Sequence, residues 1–252
     1  MDAGDETRSD GAARNGRLEA VAALVPPGSR VADIGTGHGL LAHGLLVSGR
    51  SPHCIVTERT ELLLSGVRTY PASHPLAGSL ELRAGDGLAA LRPDDRVDVV
   101  VAAGMGGPSI LGILERSPLP CSAFARFVFQ PQTDPAGLRR GLLDLGLAIV
   151  AECLVRERGR FYLALAAEAQ ADAVLPTWPG LRREDVLEAG PCLLREGHPL
   201  LVPYWQRQVQ RLERIQERAS RGAAGRVAQQ RLDQARRILD FCPRLTANRG
   251  LL

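Results

Sequence analysis

The stretch VADIGTGHGLLAHGLL, Val31 to Leu46, decides the fold. A short apolar run leads into a turn with glycine at every second position, Gly35, Gly37 and Gly39, and then into an apolar-periodic segment. That order predicts a strand feeding a helix through a turn whose backbone N–H groups can face a ligand. Upstream, RLEAVAALVPPGS sets Leu18, Val21, Ala22 and Val25 at helical spacing, and Pro26-Pro27-Gly28 stops the helix. Downstream the chain alternates. A strand HCIVT (53–57), a helix over 60–70, a strand in SLELRAGDG (79–87), a strand in VDVVVAAGMGG (97–107) and a helix to about 116 follow in turn. Next come the strand RFVFQPQ (126–132) and a helix through PAGLRRGLLDLG. Strands parted by helix-length segments predict a mostly parallel α/β sheet covered on both faces. LAIVAECLVRERGRFYLALAAE (147–168) breaks the alternation, because only RERGR parts its two apolar runs. Such a pair predicts an antiparallel hairpin closing the sheet edge.

The expected organisation is a tail over 1–16, a catalytic domain over 17–169, a linker over 170–202 and a helical hairpin over 203–252. The tail MDAGDETRSDGAARNG lacks an apolar core and is expected to be disordered, not a signal peptide. AQADAVLPTWPG has linker composition. Beyond it, Trp205, Val209, Leu212, Ile215 and Ala219 form one apolar stripe, and Val227, Leu232, Ala235, Ile238 and Leu239 form a second. An antiparallel pair of helices would bury one stripe against the other.

The 31 basic residues are all arginine, which excludes lysine Schiff-base chemistry and leaves planar guanidinium groups to meet any anion. Nine of them (207, 211, 214, 218, 221, 226, 231, 236 and 237) lie between 203 and 237 against three acids, a local excess of six on a chain of net charge +3. Such a face is either a solvated helix surface or a surface for a polyanion, and Arg207, Arg211, Arg214 and Arg218 are the candidates for nucleic-acid contact. The five cysteines lie 32 to 67 residues apart with no C-x-x-C among them, so reduced thiols in a cytoplasmic protein are expected. His38 and His43 fall on different helix faces, so no metal site is expected. No apolar stretch has membrane length.

The turn itself narrows the ligand. A nicotinamide fingerprint would put its third glycine at position 40, where Leu40 stands. Asp33 lies two residues before the first glycine. A carboxylate there suits S-adenosylmethionine, whose methionine half carries an ammonium and a sulfonium, better than it suits a pyrophosphate. Glu58, ending the second strand, can accept the ribose hydroxyls, and Asp86 in AGDG can reach the adenine amino group. Each alone could be a turn or cap residue. At the ends of three successive strands they make a cofactor site together with Gly35, Gly37, Gly87, Ala103, Gly104 and Met105.

Five parallel strands closed by a hairpin look like a Rossmann-like class I methyltransferase domain. More specifically, the sequence resembles the bacterial tRNA adenine-N1-methyltransferases that modify adenine 22. The resemblance rests on RLEAVAALVPPGSRVADIGT (17–36), GDGL (85–88), AAGMGGPSILGILE (102–115), FQPQT (129–133), GRFY (159–162) and GPCLLREGHPLLVPYWQRQVQRL (190–212). It implies a coiled-coil-like appendage that helps hold tRNA, and methyl transfer from S-adenosylmethionine to N1 of an unpaired or extruded adenine. His38, Gln130 and Pro131 are the expected positioners of the base, although His38 could equally cap the helix. In place of the family's Asp-His pair this chain has Gly37-His38, and Leu40 stands where the family has tyrosine. Two other readings remain: the same fold acting on another RNA or a small molecule, and a non-catalytic protein that binds tRNA and the cofactor. The oligomeric state is open.

Overall fold

The computed structural model describes residues 16–170, 173–218 and 223–247. The tail expected over 1–16 therefore lies outside the described residues except for Gly16. In chain order the elements are α1 (Arg17–Ala23), β1 (Val31–Ile34), α2 (Leu40–Val47), β2 (Cys54–Glu58), α3 (Glu61–Leu64) and β3 (Leu80–Ala84). They continue with β4 (Val99–Gly106), α4 (Gly107–Glu115), β5 (Arg126–Thr133), α5 (Pro135–Asp144), β6 (Leu147–Glu157) and β7 (Arg160–Ala169). The last four helices are α6 (Arg183–Ala189), α7 (Pro191–Glu196), α8 (Leu201–Arg218) and α9 (Ala223–Ala247).

The seven strands run in the order β3-β2-β1-β4-β5-β7-β6. β1 to β5 are parallel, while β7 is antiparallel to both β5 and β6. Strand alternation sorts the sheet into two faces. Ala32, Ile34, Val100, Ala102, Phe127 and Phe129 pack with Ile110 of α4 and Leu138 and Leu142 of α5. Val31, Val99, Val101 and Val128 pack on the other side with Val21 of α1 and Leu41 and Leu45 of α2. Covering both faces explains why these strands are apolar at nearly every position. The strand order reverses between β1 and β4, and that reversal opens a crevice at their C-terminal ends.

Two expectations are corrected. The helix expected over 60–70 is only Glu61–Leu64: Thr60 caps it by accepting the Leu63 N–H at 3.3 Å, and Ser65-Gly66 ends it. The chain after it is held by His43, whose ring bonds the Arg68 carbonyl at 2.6 Å and the Tyr70 hydroxyl at 2.8 Å. The stretch 170–202, expected to be a linker, contains α6 and α7. The Arg182 N–H donates to Asp185 at 3.0 Å to start α6, and Gly190-Pro191 divides the two helices.

Val186, Leu187, Leu193 and Leu194 build a third core with Leu154 of β6 and with Trp205, Ala235, Ile238 and Cys242 of the helical hairpin. A buried ion pair underlies it. Arg139 Nε donates to Glu152 Oε1 at 2.7 Å, and Glu152 Oε2 accepts the N–H groups of Cys192 at 2.8 Å and Leu193 at 3.3 Å. The apolar stripes of α8 and α9 are thus buried chiefly where they meet the domain. Farther along, Ile215 and Val227 are exposed, and Ala219 lies outside the described residues.

Candidate cofactor and substrate site

The turn after β1 carries three glycines in the left-handed region, with φ of 67° at Gly35, 66° at Gly37 and 70° at Gly39. Crowding adds a second requirement at two of them. A Cβ on Gly39 would lie 2.6 Å from Val67 Cγ1, and one on Gly35 would lie 3.3 Å from the Met105 sulfur. This backbone holds Asp33 at the end of β1, where the residue is 2 % exposed and its carboxylate accepts the Thr36 hydroxyl at 2.5 Å. Burial, with a lesser push from nearby Glu58, raises the Asp33 pKa to about 6 against the pull of its hydrogen bonds. Glu58, at the end of β2, accepts the Gly37 N–H at 2.8 Å. Asp86, beyond β3, is half exposed and lies 3.4 Å from Arg116 Nε and 3.8 Å from Arg59 Nε.

The end of β4 is irregular in the same crevice. Its pairing with β5 shifts register between Ala103 and Met105, and Gly104 sits in the left-handed region at φ 80°. A bulge of this kind turns the strand end away from the ladder.

Two clefts meet at Gly35. One, of about 340 Å³, is lined by Glu58, Asp86, Gly87 and Met105, with Arg59 and Arg116 at the Asp86 end. The other, of about 280 Å³, is lined by Asp33, Gly37, His38, Leu40, Ala103 and Gly104, and also by Arg17 and Gln132. The folded chain therefore gathers Asp33, Gly35, Gly37, Glu58, Asp86, Gly87, Ala103, Gly104 and Met105 into one crevice, with His38 exposed beside them.

Gln130 and Pro131 depart from expectation. Both are buried, and Gln130 Oε1 accepts Arg17 Nη1 at 2.9 Å while its Nε2 donates to the Pro131 carbonyl. The cover of α1 explains the difference: Gln130 and Gln132 share one face of β5, but Gln130 is buried against Arg17 of α1, whereas Gln132, near the end of the strand, is exposed and lines the second cleft. Arg17 and Gln132 were not singled out in the sequence. The period of two marks Gln130 and Gln132 alike, and nothing local marks Arg17.

The hairpin arginines lie away from both clefts. Arg207 donates to the Gly159 carbonyl in the β6–β7 turn. Arg236 pairs with Glu213 at 2.8 Å and Arg237 with Asp185 at 3.0 Å, so these two serve internal contacts. Arg211, Arg214 and Arg218 are exposed and form no ion pair with another described residue, and Arg221 lies outside the described residues. No group of three or more His, Cys, Asp or Glu able to hold a metal occurs among the described residues, and no described helix is long and apolar enough to cross a membrane.

Comparison with known proteins gives a consistent set of likenesses. A sequence model of the tRNA (adenine(22)-N(1))-methyltransferase family matches residues 31–240. The chain is 27 % identical over 219 residues to the tRNA (adenine(22)-N(1))-methyltransferase of Bacillus subtilis, covering 86 % of this chain and 90 % of that protein. It is 30 % identical to Sp1610 of Streptococcus pneumoniae, a candidate tRNA (m1A22) methyltransferase crystallised in complex with S-adenosyl-L-methionine. That structure superposes with a TM-score of 0.75 over 88 % of this chain and 98 % of the other.

Proposed function

Because the chain belongs to the tRNA (adenine(22)-N(1))-methyltransferase family, we propose that it transfers a methyl group from S-adenosylmethionine to N1 of adenine 22 in tRNA. The observation that carries this reading is the convergence of Asp33, Glu58 and Asp86 at the C-terminal ends of three neighbouring strands.

The crevice fits the cofactor by its chemistry. Asp33 is a buried carboxylate that forms no ion pair among the described residues, which suits an incoming ammonium. Gly35 leaves space beside Met105 that a side chain would fill. Glu58 would accept the ribose hydroxyls and Asp86 the adenine amino group. When bound, S-adenosylmethionine would supply an electrophilic methyl carbon, activated by the positively charged sulfonium that leaves with the C–S electron pair.

The remaining work is positioning. Adenine N1 attacks with a ring lone pair and needs no proton removed before the bond forms, so alignment can supply much of the rate. Ala103 and Gly104, small residues at the end of β4, leave room for the base next to the cofactor site. His38 and Gln132 are the polar side chains available to hold it, with Leu40 as an apolar wall. Pairing hides N1 in a helix, so the adenine must be unpaired or extruded. Arg211, Arg214 and Arg218 would meet backbone phosphates.

The test is methylation of tRNA transcripts with adenine 22 present or changed to guanine, read by nucleoside mass spectrometry. N1-methyladenosine is expected only with adenine 22. Equal methylation of both transcripts overturns the target, and no methylation of either overturns the enzyme.

A further inference from the structure

The turn between β6 and β7 lies at the same edge of the sheet as the two clefts, because β7 runs antiparallel to β5 and its first residues stand beside the end of that strand. Arg17 marks the join. It lines the second cleft, its guanidinium carbon lies 5.9 Å from the centre of the Tyr162 ring, and its backbone N–H donates to Glu157 Oε2 at 2.7 Å. The turn itself is Arg158-Gly159, between the paired residues Glu157 and Arg160. Both turn residues have positive φ, 47° at Arg158 and 76° at Gly159, as a two-residue hairpin turn of the primed kind requires. Asparagine, aspartate or glycine suits the first of these positions. Arginine is strained there, so the backbone alone gives no reason for it.

The positive charge of this turn is open to solvent. Arg156, Arg158 and Arg160 are exposed, and none forms an ion pair with another described residue. The one carboxylate among them, Glu157, is drawn onto the start of α1 by the Arg17 N–H. The turn is also joined to α8. Arg207 donates to the Gly159 carbonyl, and the Phe161 ring, with the Arg156 guanidinium carbon 5.7 Å from its centre, meets the Tyr204 ring edge to face at 5.5 Å between centres. From Arg207 the exposed Arg211, Arg214 and Arg218 follow at spacings of four, three and four, which makes one face of α8 roughly 16 Å long. We infer that the β6–β7 turn is a phosphate-binding surface for the tRNA backbone, with Arg158 and Arg160 as its contacts, and that it joins the open arginines of α8 to the cleft. Planar guanidinium groups pair bidentately with phosphate oxygens, and a backbone held at this turn is anchored beside Arg17 at the cleft mouth. The assignment rests on the tRNA reading above and accounts for an arginine at a strained position.

Binding of a tRNA transcript across a salt series tests it, with calorimetry of S-adenosylhomocysteine as the control for the fold and the cofactor crevice. The double variant Arg158→Gln, Arg160→Gln is expected to weaken tRNA binding roughly 5- to 60-fold at 0.1 M salt, and to flatten the log–log salt dependence by roughly 0.7–0.9 for each of one or two phosphates released. Its affinity for S-adenosylhomocysteine should equal the parent's. In single-turnover methylation the tRNA concentration giving half the maximal rate should rise while the rate at saturating tRNA is kept. Arg158→Gly, which suits the positive φ, should show its share of the tRNA loss in a chain that melts where the parent does. Adding the Gln substitutions at Arg211, Arg214 and Arg218 should sum the two changes in slope, as separate contacts on one backbone do. A parent chain that binds tRNA with an affinity and slope that both turn variants leave unaltered overturns this surface alone. A parent chain that binds no tRNA overturns the tRNA reading itself.

Discussion

Glu58 Oε1 accepts the backbone N–H of Gly37 at 2.8 Å, so the acid that ends β2 also fixes the glycine turn that follows β1. If Glu58 accepts the ribose hydroxyls as proposed, loss of this carboxylate removes that charged partner and the brace for the turn together. Glu58→Ala should weaken S-adenosylhomocysteine binding by roughly 1.5–3 kcal/mol in a calorimetric titration. An unchanged affinity would remove Glu58 from the ribose.

Asp33 makes binding and stability depend on pH in opposite directions. Its native pKa, raised to about 6, stands above the ordinary value of 3.8. The protonated form is therefore favoured by folding, and this contribution is complete below about pH 4 and lost as pH rises through 6. The difference amounts to roughly 3 kcal/mol. A cationic ammonium needs the ionised form, so S-adenosylhomocysteine affinity should fall by up to about tenfold per unit below pH 6. Asp33→Asn should flatten both curves, read from thermal melts and titrations between pH 4 and 7.5.

Gly37 stands where the resemblance implies an aspartate, and its left-handed φ of 66° strains a side chain even where there is room for a Cβ. A Cβ there meets nothing within 4 Å, and Asp tolerates the left-handed φ better than most residues. Gly37→Asp should fold, keep its cofactor affinity and methylate a tRNA transcript faster than the parent chain in single-turnover assays. The gain should stay within the roughly 10²–10⁴-fold that a positioned acid–base group contributes. A rate at or below the parent's would mean that alignment alone drives this enzyme.

The arginine face divides into anchored and open residues, and only the open ones should govern tRNA affinity. Replacing Arg211, Arg214 and Arg218 by Gln should flatten the log–log salt dependence of tRNA binding by roughly 0.7–0.9 for each phosphate that is no longer neutralised. Cofactor affinity should not change. An unaltered slope would leave α8 a solvated surface.

Glu152 and Arg139 are almost fully buried, and Glu152 also takes two backbone N–H groups of α7. Glu152→Ala strands a buried guanidinium and should cost roughly 3–5 kcal/mol in denaturant unfolding. Arg236→Ala, which breaks an exposed pair with Glu213, should cost about 0–1 kcal/mol. Comparable losses from the two would contradict the role given to the buried pair.

Most of the sheet was legible in the sequence because each parallel strand buries both faces and so appears as a short apolar run. The glycine turn was legible for a related reason: positive φ at Gly35, Gly37 and Gly39 excludes most other residues, so the backbone requirement is written directly in the composition. Asp33, Glu58 and Asp86 could be found because each closes or follows such a run. The helices α6 and α7 were hidden by their shortness and by the Ala/Pro-rich segment before them. Their apolar residues acquire a partner only when Leu154 and Trp205 arrive from distant parts of the chain.

The sequence by itself determined the order of the strands, the candidate acids at their ends and the basic character of the hairpin, since all three depend on spacing and residue type within a few turns of chain. Only the tertiary structure decided which polar side chains line the clefts. Gln130 and Gln132 are equivalent by composition and parity, but α1 covers the first and leaves the second at the open end of the strand. Arg17 is 113 positions from Gln130, and no local pattern foretells that they bond at 2.9 Å. Likewise, the nine hairpin arginines look alike in sequence, and it is the docking of α8 and α9 on the domain that uses Arg207 and Arg237 as anchors and leaves Arg211, Arg214 and Arg218 facing solvent. Contacts between residues far apart in the chain depend on how whole elements pack, and that packing is settled by the three cores together.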